Sequence, residues 1–202
     1  EVEEAQVGVL SRSEAGEHAH RPELRAVHRG IGPTGVRELA GPADALVENF
    51  KVGGLAKYGL DFASVSALNP RLVYASITGF GQDGPYAARP AYDDLIQGAA
   101  ALPHLVSRAS GGEPRYVPSA VADRTVGLVA ANAILASLVE RGRSGRGQRV
   151  DVPMFETMVE YVAGDHMAGL AYDPPAGPSG YARLLANERR PYATSDGYVC
   201  AV

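Results

Sequence analysis

Cysteine is almost absent from this chain of 202 residues, and Cys200 is the only one. A single cysteine excludes an intrachain disulfide and a cysteine-based metal cluster, and it is typical of proteins in a reducing cytosol. An excess of basic residues is also missing, because 19 Lys and Arg stand against 23 Asp and Glu, a formal net charge of -4. This balance gives no general attraction to nucleic acid or to an anionic membrane surface.

Long apolar runs are missing as well. No uninterrupted run approaches the roughly 20 residues that a transmembrane helix needs, and no positively charged start is followed by the apolar core of a secretory signal. Hydrophobic residues make up 46% of the chain and charged residues 21%, which is ordinary for a globular protein. We therefore expect a cytoplasmic protein that binds neither nucleic acid nor a membrane.

The two ends of the chain differ from those of a typical complete protein. The sequence begins at Glu1 and stops inside the apolar run 198–202, which has the pattern of an unfinished strand. We therefore expect a fragment, or a chain whose reading was disturbed. Residues 1–42 show no sustained helix or strand period, which predicts a solvated, poorly ordered arm. A metal site built from His18, His20 and His28 is the alternative for this segment, although their spacing matches no familiar ligand set.

A βαβ pattern begins after residue 43. A strand is predicted over 45–50, a helix over 60–68 that Asn69-Pro70 terminates, and a nearly continuous apolar strand over 71–77. Two strands joined through a helix form a parallel pair, and continuous apolar strands belong to sheets covered on both faces. The following segment 78–85 lies at the carboxyl end of a strand, where open α/β sheets bind ligands.

The rest of the chain extends this α/β pattern. The predicted elements are helices over 92–105, 121–141 and 155–170, a strand over 148–152, and a Pro/Gly linker over 174–180. The prediction is a Rossmann-like parallel sheet domain, α/β in class, with the start of a second, smaller domain. Its proposed limits are an atypical N-terminal segment at 1–42, the catalytic domain at 43–173, and the linker and small domain at 174–202.

Asp123 is the first residue with chemical interest, because it lies in the first turn of the long apolar helix. An acidic side chain there is favoured by the free N–H groups and the helix dipole, so one interpretation is a plain helix cap. The other is a carboxylate held in a cleft as a nucleophile or base. Spacing alone leaves both open.

Other groups also have two interpretations each. The glycines of 79–84 could bring backbone close to a ligand or form a flexible turn, and this segment lacks the P-loop and dinucleotide patterns. Tyr92-Asp93-Asp94 could hold a divalent cation or start a solvated helix. The arginines could contact phosphate or line a solvated turn; they are Arg141, Arg143, Arg146 and Arg149. His104 and His166 are isolated, and Cys200 is expected to be buried packing.

Six segments together resemble the class III (CaiB/BaiF-type) CoA-transferases. They occur in the family's order from residue 44 onward, and each is weak alone. They are 44–50 (DALVENF), 68–86 (LNPRLVYASITGFGQDGPY), 91–98 (AYDDLIQG), 121–127 (VADRTVG), 144–152 (SGRGQRVDV) and 190–198 (RPYATSDGY). Residues 1–42 show no such match.

The resemblance implies a role for particular residues. Asp123 falls on the family's catalytic aspartate, and 184–187 approximate a mobile covering loop, although Glu188-Arg189-Arg190 replaces the glycine-rich form. Coenzyme A, a substrate rather than a bound cofactor, would contact Asn49, Phe50, Gly54, Lys57, Thr78, Gly79 and Phe80, with Tyr92 near the reacting centre. No metal or redox cofactor is implied, and members form interlocked homodimers.

The implied chemistry is transfer of coenzyme A from an acyl-CoA to a carboxylic acid through a covalent aspartyl intermediate. Backbone N–H groups near Asp123 are expected to stabilise the oxyanions. The related alternative is α-methylacyl-CoA racemisation, which needs a second acid/base; the family pattern for it has His where this chain has Tyr92. The sequence also leaves open a truncated, non-catalytic fragment that cannot hold coenzyme A and a nucleic-acid-binding module that uses the arginine turn.

Overall fold

The computed structural model describes residues 7–12, 22–26 and 32–201. These residues belong to two compact units, one of residues 1–91 and 124–154 and one of residues 92–123 and 155–202. The chain passes from one unit to the other three times, once in the first turn of the longest helix. The sequence predicted a different division of the chain, with limits at 42/43 and 173/174, and those domain limits stay a prediction.

The first unit is built on a five-stranded sheet. Its strands and helices are β1 (Val7–Arg12), β2 (Pro22–Ala26), α1 (Pro33–Ala40), β3 (Ala45–Glu48), a 3-10 turn (Ala56–Tyr58), α2 (Phe62–Leu68), β4 (Val73–Thr78), most of α5 (Val121–Ser144) and β5 (Arg149–Pro153). The strand order is β2-β1-β3-β4-β5. β3, β4 and β5 are parallel, whereas β1 is antiparallel to both β2 and β3.

The predicted βαβ unit is confirmed in β3, α2 and β4. Helix α2 begins where Asp61 accepts a hydrogen bond from the Ser64 N–H at 3.1 Å, the usual device for satisfying a free N-terminal donor. It ends before Pro70, and Asn69 donates from Nδ2 to the carbonyls of Ala40 and Ala43. The end of α2 is thereby tied to the end of α1.

The sheet of the first unit is covered on both faces, as the apolar strands predicted. One face packs against α1 and α2 through Leu46, Leu72 and Val65. The other face packs through Val73 and Ala75 against Ile134 of α5. Arg141 of α5 is 8% exposed and pairs with Asp44 at 2.7 Å. A buried guanidinium needs such partners because an unpaired charge is costly away from water.

The second unit is mainly helical. Its elements are α3 (Asp93–Ala99), α4 (Leu102–Ser110), the first turn of α5, α6 (Met154–His166, from Phe155 onward), a 3-10 turn (Ala168–Ala171), β6 (Tyr192–Ala193) and β7 (Tyr198–Val199). The last two strands pair antiparallel. The helix predicted over 92–105 is interrupted at Ala101, where φ is +66°, and the helix predicted over 155–170 ends at His166.

One expectation was wrong. Residues 1–42 were predicted to lack helix and strand pattern, but β1, β2 and α1 lie there. β1 and β2 are short, so their sequences carry little periodicity, and only the sheet reveals them. Helix α5, among the described residues, is long and apolar enough to cross a membrane by length and composition. Core helices pass the same test, so this carries no membrane assignment, and the cytoplasmic location stays a prediction.

Candidate active site

Two loops leave the carboxyl edge of the sheet in the first unit. Asn49 and Phe50 follow β3 directly, and Gly79 and Phe80 follow Thr78, the last residue of β4. Because β3 and β4 are parallel neighbours, both loops start from the same edge of the sheet, where α/β folds bind ligands. Both segments that are predicted to contact coenzyme A therefore begin at the same edge of the sheet.

The loop after β4 is tightly built. Thr78 donates from Oγ1 to the Phe80 carbonyl at 2.8 Å, and the rings of Phe80 and Tyr86 meet edge to face with centroids 5.5 Å apart. A Cβ on Gly79 would lie 2.1 Å from the Cβ of Ala91. Only glycine fits at that position. The sequence left the role of the glycines of 79–84 open, and for Gly79 the close approach of this loop to residue 91 explains why a glycine is needed.

The loop after β3 turns back through glycine. The Gly54 N–H donates to the Lys51 carbonyl at 2.7 Å, and Gly53 has φ of +75°, a conformation that favours glycine. Leu55, which is 6% exposed, fixes the following 3-10 turn in the core. Lys57 lies on this turn, exposed, with its ammonium 4.8 Å from the centroid of the Tyr58 ring.

A polar network that the sequence analysis missed lies beneath these two loops. Glu48, the last residue of β3, is 6% exposed and accepts hydrogen bonds from the Ser76 hydroxyl and, at 2.8 Å, from the Phe50 N–H. Burial raises the pKa of Glu48 above its ordinary value, and the hydrogen bonds from Ser76 and Phe50 partly oppose that rise. A charged residue closing an apolar strand was the signal available in the sequence.

The other two candidates, Tyr92 and Asp123, belong to the second unit. Asp123 is exposed in the first turn of α5. Its own N–H and that of Ala122 donate to Oδ1 of Asp93, at 3.0 and 2.8 Å. Asp93 therefore accepts the free N–H groups that begin α5, and it directly follows Tyr92, whose side chain is 45% exposed.

A buried glutamine completes this arrangement. Gln97 is 0% exposed and donates from Nε2 to Oδ2 of Asp93 at 2.6 Å and to the Ser119 carbonyl at 3.2 Å. Its Oε1 accepts from the Val117 N–H at 2.9 Å. Together Asp93 and Gln97, which we call the α3 clamp, hold the segment that leads into Asp123.

The α3 clamp engages two backbone donors near Asp123. The N–H groups of Ala122 and Asp123 donate to Asp93, and the stabilisation of oxyanions by backbone N–H groups near Asp123 stays a prediction. The cation site suggested for Tyr92-Asp93-Asp94 loses support, because both oxygens of Asp93 accept hydrogen bonds within the protein.

The remaining candidates are dispersed. The basic cluster is broken up, since Arg141 is buried against Asp44 and Arg149 pairs with Asp151 at 2.8 Å. Cys200 is exposed rather than buried. His104 is exposed, and the His166 Nδ1 accepts the Tyr181 N–H at 3.3 Å.

Three further features contribute nothing to the candidate site. His18, His20 and His28 lie outside the described residues. Residues 184–186 are half-buried, and their role as a covering loop stays a prediction. A cavity of about 420 Å³ beside α6 contains none of the predicted site residues.

Comparison with known proteins gives consistent matches. The family model described as CoA-transferase family III matches residues 31–202, so residues 31–42 do match the family, contrary to the expectation from the sequence. A succinate–glutarate CoA-transferase of Agrobacterium fabrum is 39% identical over 164 residues, which are 81% of this chain and 41% of that relative. The human succinyl-CoA:glutarate CoA-transferase is 30% identical over 167 residues, 81% of this chain and 37% of that relative.

Solved structures agree with these matches. A CaiB/BaiF family protein from Brucella suis superposes with a TM-score of 0.68 at 40% identity, over 84% of this chain and 44% of that chain. The fold predicted from the sequence, a parallel α/β sheet of this family, is thereby confirmed. The chain spans about two fifths of the length of the two curated relatives.

Proposed function

This chain belongs to CoA-transferase family III, and from that premise we propose that the protein moves coenzyme A from an acyl-CoA thioester to a free carboxylic acid, with Asp123 as the covalent nucleophile. The observation that carries the proposal is the fixed start of α5. There Asp93 accepts hydrogen bonds from the N–H groups of Ala122 and Asp123. A nucleophile held at a fixed place on a rigid element loses less freedom when it reacts.

The reaction proceeds through acyl exchange at the Asp123 carboxyl group. The carboxylate attacks the donor thioester, giving a mixed anhydride and the coenzyme A thiolate. The thiolate attacks the aspartyl carbonyl, releasing the donor acid and forming an aspartyl-CoA thioester. The acceptor carboxylate then attacks that thioester, giving a second anhydride, and the thiolate attacks its acceptor carbonyl. The new acyl-CoA leaves and the Asp123 carboxylate is restored, so no proton or electron is consumed.

The loops of the first unit supply the coenzyme A contacts in this proposal. Asn49, Phe50 and Gly54 belong to the loop after β3, and Thr78, Gly79 and Phe80 belong to the loop at the end of β4. Lys57 offers an exposed cation for a phosphate of the nucleotide. Tyr92 favours transfer over racemisation, because a phenol replaces the imidazole that would serve as the second acid/base. The interlocked homodimer stays a prediction.

Trapping of the aspartyl intermediate tests this function. The full-length protein is incubated with an acyl-CoA donor and hydroxylamine, and peptide mass spectrometry locates the hydroxamate. The donor and acceptor panel starts with succinyl-CoA and glutarate, the substrates in the name of the human relative. We expect modification confined to Asp123.

The variant Asp123→Ala is expected to lose transfer while its circular dichroism spectrum and unfolding midpoint stay close to those of the wild type. Asp94→Ala is the matched control, because Asp94 is an exposed carboxylate in the same unit. Turnover that survives in Asp123→Ala, or a hydroxamate at another residue, would show that Asp123 is not the nucleophile. A folded wild-type protein that binds no coenzyme A would favour the non-catalytic alternative.

A further inference from the structure

Three polar residues form one transverse row across the parallel strands. Glu48 of β3 is paired in register with Ser76 of β4, and Ser76 is paired with Asp151 of β5. Residues in one row of a parallel sheet point to the same face. The row contains the last residue of β3 and lies two residues before the end of β4, so the loops of residues 49–54 and 78–85 begin close to it.

Hydrogen bonds join this row to both loops in one continuous chain. From the first loop, the Phe50 N–H donates to Oε2 of Glu48 at 2.8 Å. The Ser76 hydroxyl donates to Oε1 of Glu48 and accepts from Nε2 of Gln82, in the second loop, at 3.1 Å. The same Nε2 donates to Oδ1 of Asp151 at 2.9 Å, which also accepts from Nε of Arg149.

The hydrogen bonds that link Gln82, Ser76 and Glu48 run in one direction, from Gln82 towards Glu48. Glu48 only accepts, Ser76 donates to Glu48 and accepts from Gln82, and the Gln82 amide nitrogen donates both of its hydrogens. Glu48 and Ser76 are 6% and 3% exposed, so water does not readily replace a lost partner, and a buried polar group without one is costly. The geometry of one loop is thus transmitted to the other through two buried side chains.

The two loops are rich in glycine. Gly53 and Gly54 lie in the first, and Gly79, Gly81 and Gly84 in the second. Glycine gives the backbone more freedom than any other residue, so ordering it costs more entropy. A ligand that needs both loops in one arrangement binds more weakly when that arrangement is one of many.

We propose that Glu48 is a positioning residue, which, through Ser76 and Gln82, holds the loops 49–54 and 78–85 in the one arrangement that binds coenzyme A. The inference rests on the proposed function, because it assigns these loops to the nucleotide and pantetheine of that substrate. Glu48 itself lies in the sheet below the loops and contacts no reacting atom.

The variant Glu48→Gln tests the donor pattern with little change of shape. A glutamine offers one acceptor oxygen, so it satisfies either Phe50 or Ser76 and presents an amide donor to the other. The variant Gln82→Ala removes the other end of the chain from a partly exposed position, and it stays informative if Glu48→Gln unfolds. The matched control is Asp61→Asn. Asp61 also accepts one backbone N–H and one serine hydroxyl, both from Ser64, but it caps α2.

Coenzyme A affinity is measured by titration calorimetry and acyl-CoA kinetics on the full-length proteins. We expect Glu48→Gln and Gln82→Ala each to weaken coenzyme A binding and raise KM for the acyl-CoA roughly tenfold, with kcat nearly unchanged, since uniform binding is lost. The double variant should weaken binding by less than the product of the single effects, because both act through one chain. Asp61→Asn should bind like the wild type.

The outcomes separate this inference from the function on which it rests. If the wild type binds no coenzyme A, the proposed function fails and the inference fails with it. If the wild type binds and transfers, but folded Glu48→Gln and Gln82→Ala bind as tightly as Asp61→Asn, only the inference fails. Independent, multiplicative effects of the two substitutions would also overturn it, because the loops would then be fixed separately.

Discussion

Removal of the Asp93 carboxylate gives the sharpest test of how the start of α5 is built. In Asp93→Ala the N–H groups of Ala122 and Asp123 lose their acceptor, and loss of a helix N-cap costs about 1 kcal/mol. The buried Gln97 amide also loses the acceptor that lies 2.6 Å away, and an unsatisfied buried donor costs about 1–3 kcal/mol. The expected decrease in the free energy of unfolding is therefore about 2–4 kcal/mol.

Urea denaturation followed by circular dichroism measures this loss, with Asp94→Ala as the control. Asp94 is the neighbouring exposed acid in the first turn of α3, where a carboxylate contributes about 0.3–1 kcal/mol through the helix dipole. Hydrogen exchange adds a local measure, because the amides of Ala122 and Asp123 should exchange faster by about tenfold or more in Asp93→Ala. Equal unfolding costs for the two variants, with unchanged exchange, would refute the capping role.

The variant Asp93→Asn separates the two parts of the effect. Asparagine keeps an acceptor for the N–H groups of Ala122 and Asp123, and it is as good a cap as aspartate. Its amide nitrogen, however, would face the Gln97 Nε2, and Gln97 cannot turn over without losing the Val117 N–H from its Oε1. We expect a cost of about 1 kcal/mol with normal exchange at Asp123. If Asp93→Asn lowers the free energy of unfolding as much as Asp93→Ala does, the stabilisation comes from the charge of Asp93 and not from its role as a cap.

Two further predictions concern the first unit. Gly79→Ala should lower the free energy of unfolding by about 1–3 kcal/mol, because its Cβ would lie 2.1 Å from that of Ala91. Gly127→Ala should raise the free energy of unfolding by about 0.5–1 kcal/mol, because its Cβ would meet no heavy atom within 4 Å. Urea titrations in which both variants change the stability in the same direction would contradict this. Because burial raises the pKa of Glu48 above 4.5, its stabilising contribution is fully present below that pH and is lost as the pH rises through the higher pKa of the folded state. The free energy of unfolding of the wild type relative to Glu48→Gln should therefore decrease with rising pH across that window, and a difference that increases would show that the carboxyl pKa is not raised.

The parallel part of the fold was predictable because its signals are local. The apolar runs at β3 and β4 and the stop at Asn69-Pro70 are each carried by neighbouring residues, and the structure has these elements within a few positions of the prediction. β1 and β2 were not predicted, because their own sequences show little strand pattern and they are recognised as strands by their pairing in the sheet. The break at Ala101 was missed for a related reason, since a positive φ at an alanine leaves no mark in the sequence.

The sequence predicts the site residues but not the contacts that support them. Asp123, Asn49 and Phe50 were assigned by resemblance, since the relevant motifs are contiguous, and their roles stay predictions. Asp93 and Asp123 are 30 residues apart in the chain, and Glu48 and Ser76 are 28 apart. A hydrogen bond between residues so far apart in the chain leaves no periodic pattern in the sequence, so these partners could be identified only from the structure.

These two supports solve the same physical problem in the two units. A reactive or ligand-binding segment must be open to substrate, so it cannot be fixed by burying its own side chains. The exposed Asn49 and Asp123 are the residues proposed for such segments. In each unit a carboxylate outside the segment, or one residue before it, accepts the segment's backbone N–H groups: Glu48 for Phe50, and Asp93 for Asp123. The main chain at each proposed site residue is thereby held, and preorganisation of this kind contributes to binding and rate. Loss of either carboxylate should therefore impair function more than the exposed position of the site residues suggests.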